Sequence, residues 1–314
     1  MKTRSTLIYL AIAVLLVGFY LYETRHEEEK KRAEEETSAL FKVKAEEVTG
    51  LVLKSGDQEM RFEKRDGTWQ ILHPVAGGVD AFALSRLLAR LTRLKPQRLM
   101  AEIPKDLAEF GLHEPDVSLT FKAGDHEHSL RIGYISPIEK GYYAATGKDP
   151  KVYLIAGDDK RALDRPLIEL RDKKLFTLKT DLVRQAVLER KGERWILEKK
   201  DGKWLLQGHE DLHIDTEKVE AFLRPTLWAE AQSFEKEEAA DLKPFGLDAP
   251  QARVLLSDEQ QTEEIVYGHE ATPDLVFAMV KGKPQVVTVR NRLLRDLPQT
   301  KEDLVEKPEE DKKP

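Results

Sequence analysis

Residues 63–69 read EKRDGTW, and 135 positions later residues 198–204 read EKKDGKW. The same offset pairs Val48 with Val183, Leu53 with Leu188, Asp80 with Asp215, Leu107 with Leu242, and Pro115 with Pro250. It also pairs Phe110-Gly111-Leu112 with Phe245-Gly246-Leu247 and Gly133 with Gly268. A register held over that distance, with glycines and prolines matching, means one domain written twice. A chain of 314 residues has room for two such cores and a membrane segment.

Each copy reads as α+β: a mostly antiparallel sheet with one main helix. In copy one, VTGLVLKS, EMRFEKR and TWQIL alternate apolar and polar residues and predict a three-strand meander. RQAVLERK, RWILEKK and KWLLQ match it in copy two, and Asp-Gly at 66–67 and 201–202 suits tight hairpin turns. A helix capped by Asp80 or Asp215 follows, AFALSRLLARL in one copy and TEKVEAFLR in the other, where Pro225 is expected to end it early. Beyond the Phe-Gly-Leu turn come four strand candidates per copy, such as VSLTF, HSLRIG, YYAAT and VYLIA. A short helix near Leu163, matched by Leu297 once one gap shifts the offset to 134, closes the unit. Strand-helix-strand alternation is absent, which argues against a parallel nucleotide-binding sheet.

The flanks read differently. Leu7 to Tyr22, LIYLAIAVLLVGFYLY, carries no charge, follows Lys2 and Arg4, and lacks a small-residue cleavage site after it. It predicts an uncleaved transmembrane anchor over 1–25, with a cytoplasmic N-terminus and the bulk of the chain in the periplasm of a bacterium. Residues 26–46 are expected to be a charged helical spacer, since the Glu27/Lys31 and Glu28/Arg32 pairs are spaced i, i+4. The repeats are then 47–177 and 178–300, and 301–314 reads as a disordered tail for want of apolar content.

Chemistry is sparse. The net charge of −6 argues against a nucleic-acid partner, and with no cysteine there are no disulfides, thiolate metal sites or cysteine nucleophiles. The pattern H-E-x-x-H occurs at 209–213, HEDLH, as it does in zinc hydrolases, where both imidazoles lie on one helical face. Copy one has Pro-Val-Ala-Gly-Gly at the matching 74–78, which does not hold a helical turn, so HEDLH is expected to be a loop before the Asp215 cap. His126 and His128, two apart on a strand, could clamp a metal but read as a solvated hairpin. The acid pairs Asp158-Asp159 and Glu263-Glu264 have nothing to place them around a pocket. No G-x-S-x-G, P-loop or dinucleotide fingerprint occurs. No catalytic, cofactor-binding or metal-ligating residue is assigned, and no cofactor is expected.

The copies also differ. The copy-one helix carries Arg86, Arg90 and Arg93, a basic stripe extended by Lys95 and Arg98, where copy two has Ala221, Pro225 and Trp228. Beyond a solvated face, this suits docking of an acidic partner or anionic lipid. Trp69 and Trp204 recur and read as core, whereas Trp195 and Trp228 do not recur and are the surface candidates.

The DGxW hairpin, the Asp-capped helix, LAEFGLHEP, LKPFGLDAP and the LRDKKLF run at 170–176, behind one N-terminal apolar segment, resemble the bacterial family called domain of unknown function 4340. The likeness covers roughly residues 47–300, and copy two lacks an LRDKKLF run. It implies no catalytic residues. Members are often encoded beside ABC-transporter parts of the gliding-motility type, which implies an envelope accessory with protein partners in an inner-membrane complex. The expectation is a non-catalytic, membrane-anchored interaction module. A glycan- or peptidoglycan-binding protein is the alternative, and a zinc-dependent hydrolase using HEDLH the more distant one.

Overall fold

The computed structural model describes residues 39–147 and 149–306. The anchor expected at 1–25, most of the spacer and the last part of the tail lie outside them. Among the described residues no helix is long and apolar enough to cross a membrane. The chain divides into two compact units, Met1–Asp172 and Lys173–Pro314.

In unit one, β1 (Val48–Ser55), β2 (Gln58–Arg65) and β3 (Thr68–His73) form the expected meander, and a two-residue β4 (Gly77–Gly78) adds to its edge. Then follow helix α1 (Ala81–Thr92), β5 (Arg98–Ala101), β6 (Val117–Ala123), β7 (His126–Ile135), β8 (Tyr142–Thr146), β9 (Val152–Ile155) and the short helices α2 (Gly157–Leu163) and α3 (Leu167–Leu170). The sheet order is β4-β3-β2-β1-β6-β7-β8-β9-β5, with antiparallel pairing throughout.

Unit two repeats the plan. It has β10 (Gln185–Arg190), β11 (Glu193–Lys200), β12 (Lys203–Leu206), helix α4 (Thr216–Leu227), β13 (Ser233–Lys236), β14 (Ala252–Ser257), β15 (Thr262–Thr272), β16 (Leu275–Val280), β17 (Val286–Arg290) and helix α5 (Arg292–Arg295). Its order is β12-β11-β10-β14-β15-β16-β17-β13, the same antiparallel sheet without β4. The closing edge strands β5 and β13 escaped the sequence reading, because four residues such as RLMA and SFEK are too short for alternation to register.

Local chemistry accounts for these elements. Asp66-Gly67 and Asp201-Gly202 both hold positive φ, 49° and 80° in one hairpin and 49° and 81° in the other, the turn that matches the strand twist. Asp80 accepts hydrogen bonds from the N–H groups of Phe82 and Ala83 at 3.0 and 2.9 Å, and Asp215 from those of Glu217 and Lys218 at 2.9 and 3.3 Å. Helix α1 then buries Leu84, Leu87, Leu88 and Leu91, spaced i, i+3, i+4, i+7, on one sheet face. Each such leucine stabilises the unit by about 2 kcal/mol as an upper estimate. Helix α4 buries Val219, Phe222, Leu223 and Leu227 in the same way.

The helix does not stop at Pro225, as the sequence had suggested, but runs on to Leu227. Proline removes one donor near the end of the helix, while its neighbours keep theirs. Thr226 Oγ1 donates to Phe222 O at 2.8 Å and the Trp228 N–H to Arg224 O at 3.0 Å, and Thr226 and Leu227 are buried.

A smaller core lies on the other sheet face, since neighbours along a strand point opposite ways. Ala144 belongs to the helix-side core and Ala145 to the small one with Leu112 and Val152; Ile265 and Val266 divide likewise in unit two. The Phe-Gly-Leu turn covers this face. Gly111 and Gly246 adopt φ of 68° and 67°. A Cβ on Gly133 would lie 2.2 Å from Phe110 O, and one on Gly268 would lie 2.0 Å from Phe245 O. Those repeated glycines let the turn sit directly on β7 and β15.

The expected boundaries move. Leu40 N–H donates to Leu94 O at 2.8 Å, and Leu175 N–H donates to Ala229 O at 3.2 Å, again 135 apart. Phe41 and Phe176 are both buried, and the 3-10 turns at Ala45–Glu47 and Thr180–Leu182 match. Residues 39–46 therefore open the first copy and are not spacer, because Phe41 packs edge-on against Phe121 with ring centroids 5.0 Å apart. At the other end, Asp80 N–H donates to Leu170 O and Asp215 N–H to Leu304 O, at 2.9 and 2.8 Å, and bridges join Val79 to Arg171 and Ile214 to Val305. Lys301–Leu304 is a 3-10 turn with Leu304 1% exposed, so the start of 301–314 is a folded closure and not a disordered tail. LRDKKLF thus holds the end of one copy and the start of the next, and Leu304-Val305 is the copy-two equivalent of Leu170-Arg171.

Candidate functional site

HEDLH lies in turn and loop conformation between β12 and α4. Its groups are engaged locally. Gly208 N–H donates to the Glu210 carboxylate at 2.9 Å, a bond that holds this carboxyl below its usual range. His213 O accepts from Glu306 N–H at 2.9 Å, and Leu212 packs on the core. His209 Nε2 lies 3.5 Å from Lys301 Nζ. The two imidazoles do not share a helical face. Among the described residues no group of three metal-binding side chains comes together.

The remaining candidates divide in the same way. His128 stacks on Phe121 at 5.1 Å and stands edge-on to Phe41 at 6.0 Å, so its ring packs the leading segment against the sheet. Glu263 accepts from Thr177 N–H, Thr177 Oγ1 and Leu178 N–H, anchoring the start of copy two. Glu264 is buried between Arg253 and Lys281 at 3.3 and 3.2 Å. Trp228 is 71% exposed, whereas Trp195 is 7% exposed; the surface assignment of Trp195 is corrected, since its side chain points from β11 into the core. Trp204 is buried and Trp69 half-buried.

The arginine stripe is the candidate that the structure turns into a place. Helices α1, α2 and α3 line a cleft of about 400 Å³, with Ala83, Leu87, Ala162 and Leu170 giving it an apolar base. Arg86, Arg90 and Arg165 project into it beside Asp158 and Glu169. The charges are unevenly matched. Arg90 pairs with the buried Asp159, Arg161 with Asp158, and Arg165 with Glu169 at 2.6 Å. Arg98 pairs with Glu139 at 2.6 Å, away from the cleft. Arg86 stands over the Phe82 ring at 5.0 Å and has no carboxylate partner among the described residues; Phe82 itself is 71% exposed. Of the three arginines that line the cleft, Arg90 and Arg165 are thus paired and Arg86 is uncommitted.

The copy-two equivalents are Lys218, Ala221, Phe222 and Pro225 on α4, then Arg292, Asp296, Gln299 and Asp303. Lys218 Nζ donates to Val305 O at 2.6 Å, and Asp303 caps the backbone N–H groups of Gln299 and Thr300. The same scaffold position is self-satisfied there.

A second difference was missed. Tyr134, Ile135 and Ile138 around the β7–β8 turn are exposed, Ile138 to 88%, where copy two has His269, Glu270, Ala271 and Thr272 at the end of β15 and then the turn Pro273-Asp274. The one-residue gap between copies falls in this turn, because Ala144 and Ala278 beyond it both face the helix-side core at an offset of 134. The signal was present in aligning YISPI with HEATP.

The model of the family described as Domain of unknown function (DUF4340) matches residues 69–205 and, separately, residues 204–309. The matches begin at the repeated tryptophans, Trp69 and Trp204. No curated protein and no solved structure matches the chain.

Proposed function

The chain belongs to the family of the domain of unknown function DUF4340, in two tandem copies, and on that premise we propose that it is a non-catalytic interaction module. The apolar run at 7–22 holds it at a bacterial inner membrane, with the two copies on the periplasmic side. There it is an accessory of an ABC-type transport or gliding-motility-like envelope complex. The observation that carries the module reading is the contrast on one helix face: Arg86 and Arg90 line a cleft in copy one, and Ala221 and Pro225 take their places in copy two. The residues that shape the backbone recur while this face does not, as expected where one copy keeps a scaffold role and the other presents a recognition surface.

Purification of the tagged full chain from detergent-solubilised membranes tests this reading. Co-recovery of an ABC permease component is the expected result. Recovery of the chain alone, together with binding to isolated peptidoglycan, would replace it with the glycan-binding alternative.

A further inference from the structure

We propose that the copy-one cleft binds an acidic segment of a partner protein, seating one of its carboxylates on Arg86 and an apolar side chain on the base formed by Ala83, Leu87, Ala162 and Leu170. The proposal rests on the interaction-module reading and names the chemistry of what is bound.

Charge complementarity selects the occupant. A guanidinium stacked on an aromatic face keeps its N–H donors pointing outward in its own plane, where a carboxylate can take two of them. The Arg86 guanidinium carbon lies over the Phe82 ring, 5.0 Å from its centroid, and no carboxylate among the described residues pairs with it. Its neighbours cannot substitute for it, because Asp159, Asp158 and Glu169 already occupy Arg90, Arg161 and Arg165. Those ion pairs fix the cleft wall and leave one positive charge to be answered from outside. The size and composition of the cleft set the rest. A space of about 400 Å³ with an apolar base takes a side chain or two of a peptide, which a bare anion would leave unfilled. Copy two provides an internal control, since Ala221 removes the guanidinium and Lys218 is spent on Val305 O.

The test is a titration of the full chain in detergent with a fluorescent peptide of glutamates flanking a single leucine, at low and at moderate salt. Binding is expected, weakened by salt and by about tenfold in Arg86→Ala. Ala162→Trp, which fills the cleft and leaves every charge in place, is expected to weaken it as well. Arg224→Ala, an exposed arginine of α4, is expected to leave it unchanged. Absence of binding, equal binding by Arg86→Ala, or equal loss in Arg224→Ala would overturn the proposal. So would Arg86-dependent binding to phosphatidylglycerol vesicles without binding to the peptide. Co-recovery of a permease component by the Arg86→Ala chain at the native level would also sink it while leaving the interaction reading intact. If the native chain recovers no partner, that reading falls, and the titration still decides the cleft.

Discussion

Lys54 faces Glu59 across the first hairpin of copy one, 2.8 Å apart, and at the same place in copy two Glu189 faces Arg194 at 3.5 Å. The pair has reversed its polarity and kept its geometry. The Phe-Gly-Leu turn behaves in the opposite way: Gly133 and Gly268 recur because a backbone oxygen stands where a Cβ would go, and Gly111 and Gly246 recur because both hold positive φ. Solvent accepts either sign of a cross-strand pair, whereas a backbone atom about 2 Å away accepts nothing but hydrogen. The copies therefore share what close packing dictates and differ where water is the neighbour. The Arg86 face belongs to the second class, and so does the exposed Ile135–Ile138 turn.

The most severe way to break this equivalence is at the closing leucines. Leu170→Ala and Leu304→Ala are each expected to cost about 3 kcal/mol, because each empties a fully buried site. Urea unfolding followed by tryptophan fluorescence reads both, Trp69 reporting on copy one and Trp195 and Trp204 on copy two. A negligible loss in Leu304→Ala would mean that 301–306 is not part of the second fold. A smaller effect is expected at the turns: Gly133→Ala and Gly268→Ala should each destabilise their unit by about 2 kcal/mol. Unequal losses would show that the turn sits less tightly on one sheet than on the other.

The least effect is expected at the hairpin charges. Hydrogen bonds from Lys54 and then Arg61 hold the Glu59 carboxyl down at about 2, against an ordinary value of 4.5. Its folded pKa is depressed, so whatever stability it contributes is complete above 4.5 and is lost as the pH falls through about 2. NMR titration of the Glu59 carboxyl should place its midpoint there. The triple exchange Lys54→Glu, Glu59→Lys and Arg61→Glu, which reverses the pair together with the Arg61 that also binds Glu59, should leave the unfolding midpoint unchanged, and a large shift would refute the view that solvent accepts both polarities.

Much of the fold was legible. The meander, the two caps and the Phe-Gly-Leu turn were carried by alternation, Asp-Gly pairs and a fixed offset. What escaped was short or depended on distant partners. The edge strands β5 and β13 each have only four residues and borrow their conformation from β9 and β17. Leu40-Phe41 and Leu304-Val305 sit in charged surroundings, so composition argued against packing them, although Leu40 matches Leu175 at the same offset. The cleft was half legible. Arg86, Arg90 and Arg93 stood out as a stripe, but that Asp159 and Glu169 would neutralise part of its surroundings required α2 and α3 to fold back against α1.

The sequence by itself determined that one domain is written twice, which turns and caps shape it, and that HEDLH falls in a loop. These rest on local geometry: positive φ, side-chain caps, and a glycine or proline in a fixed place. Tertiary structure alone decided where each copy begins and ends, since a copy is closed by hydrogen bonds between residues far apart, Leu40 with Leu94 and Asp80 with Leu170. It also decided which of the cleft's arginines is uncommitted, because the charge left on a surface depends on which carboxylates the fold brings within reach.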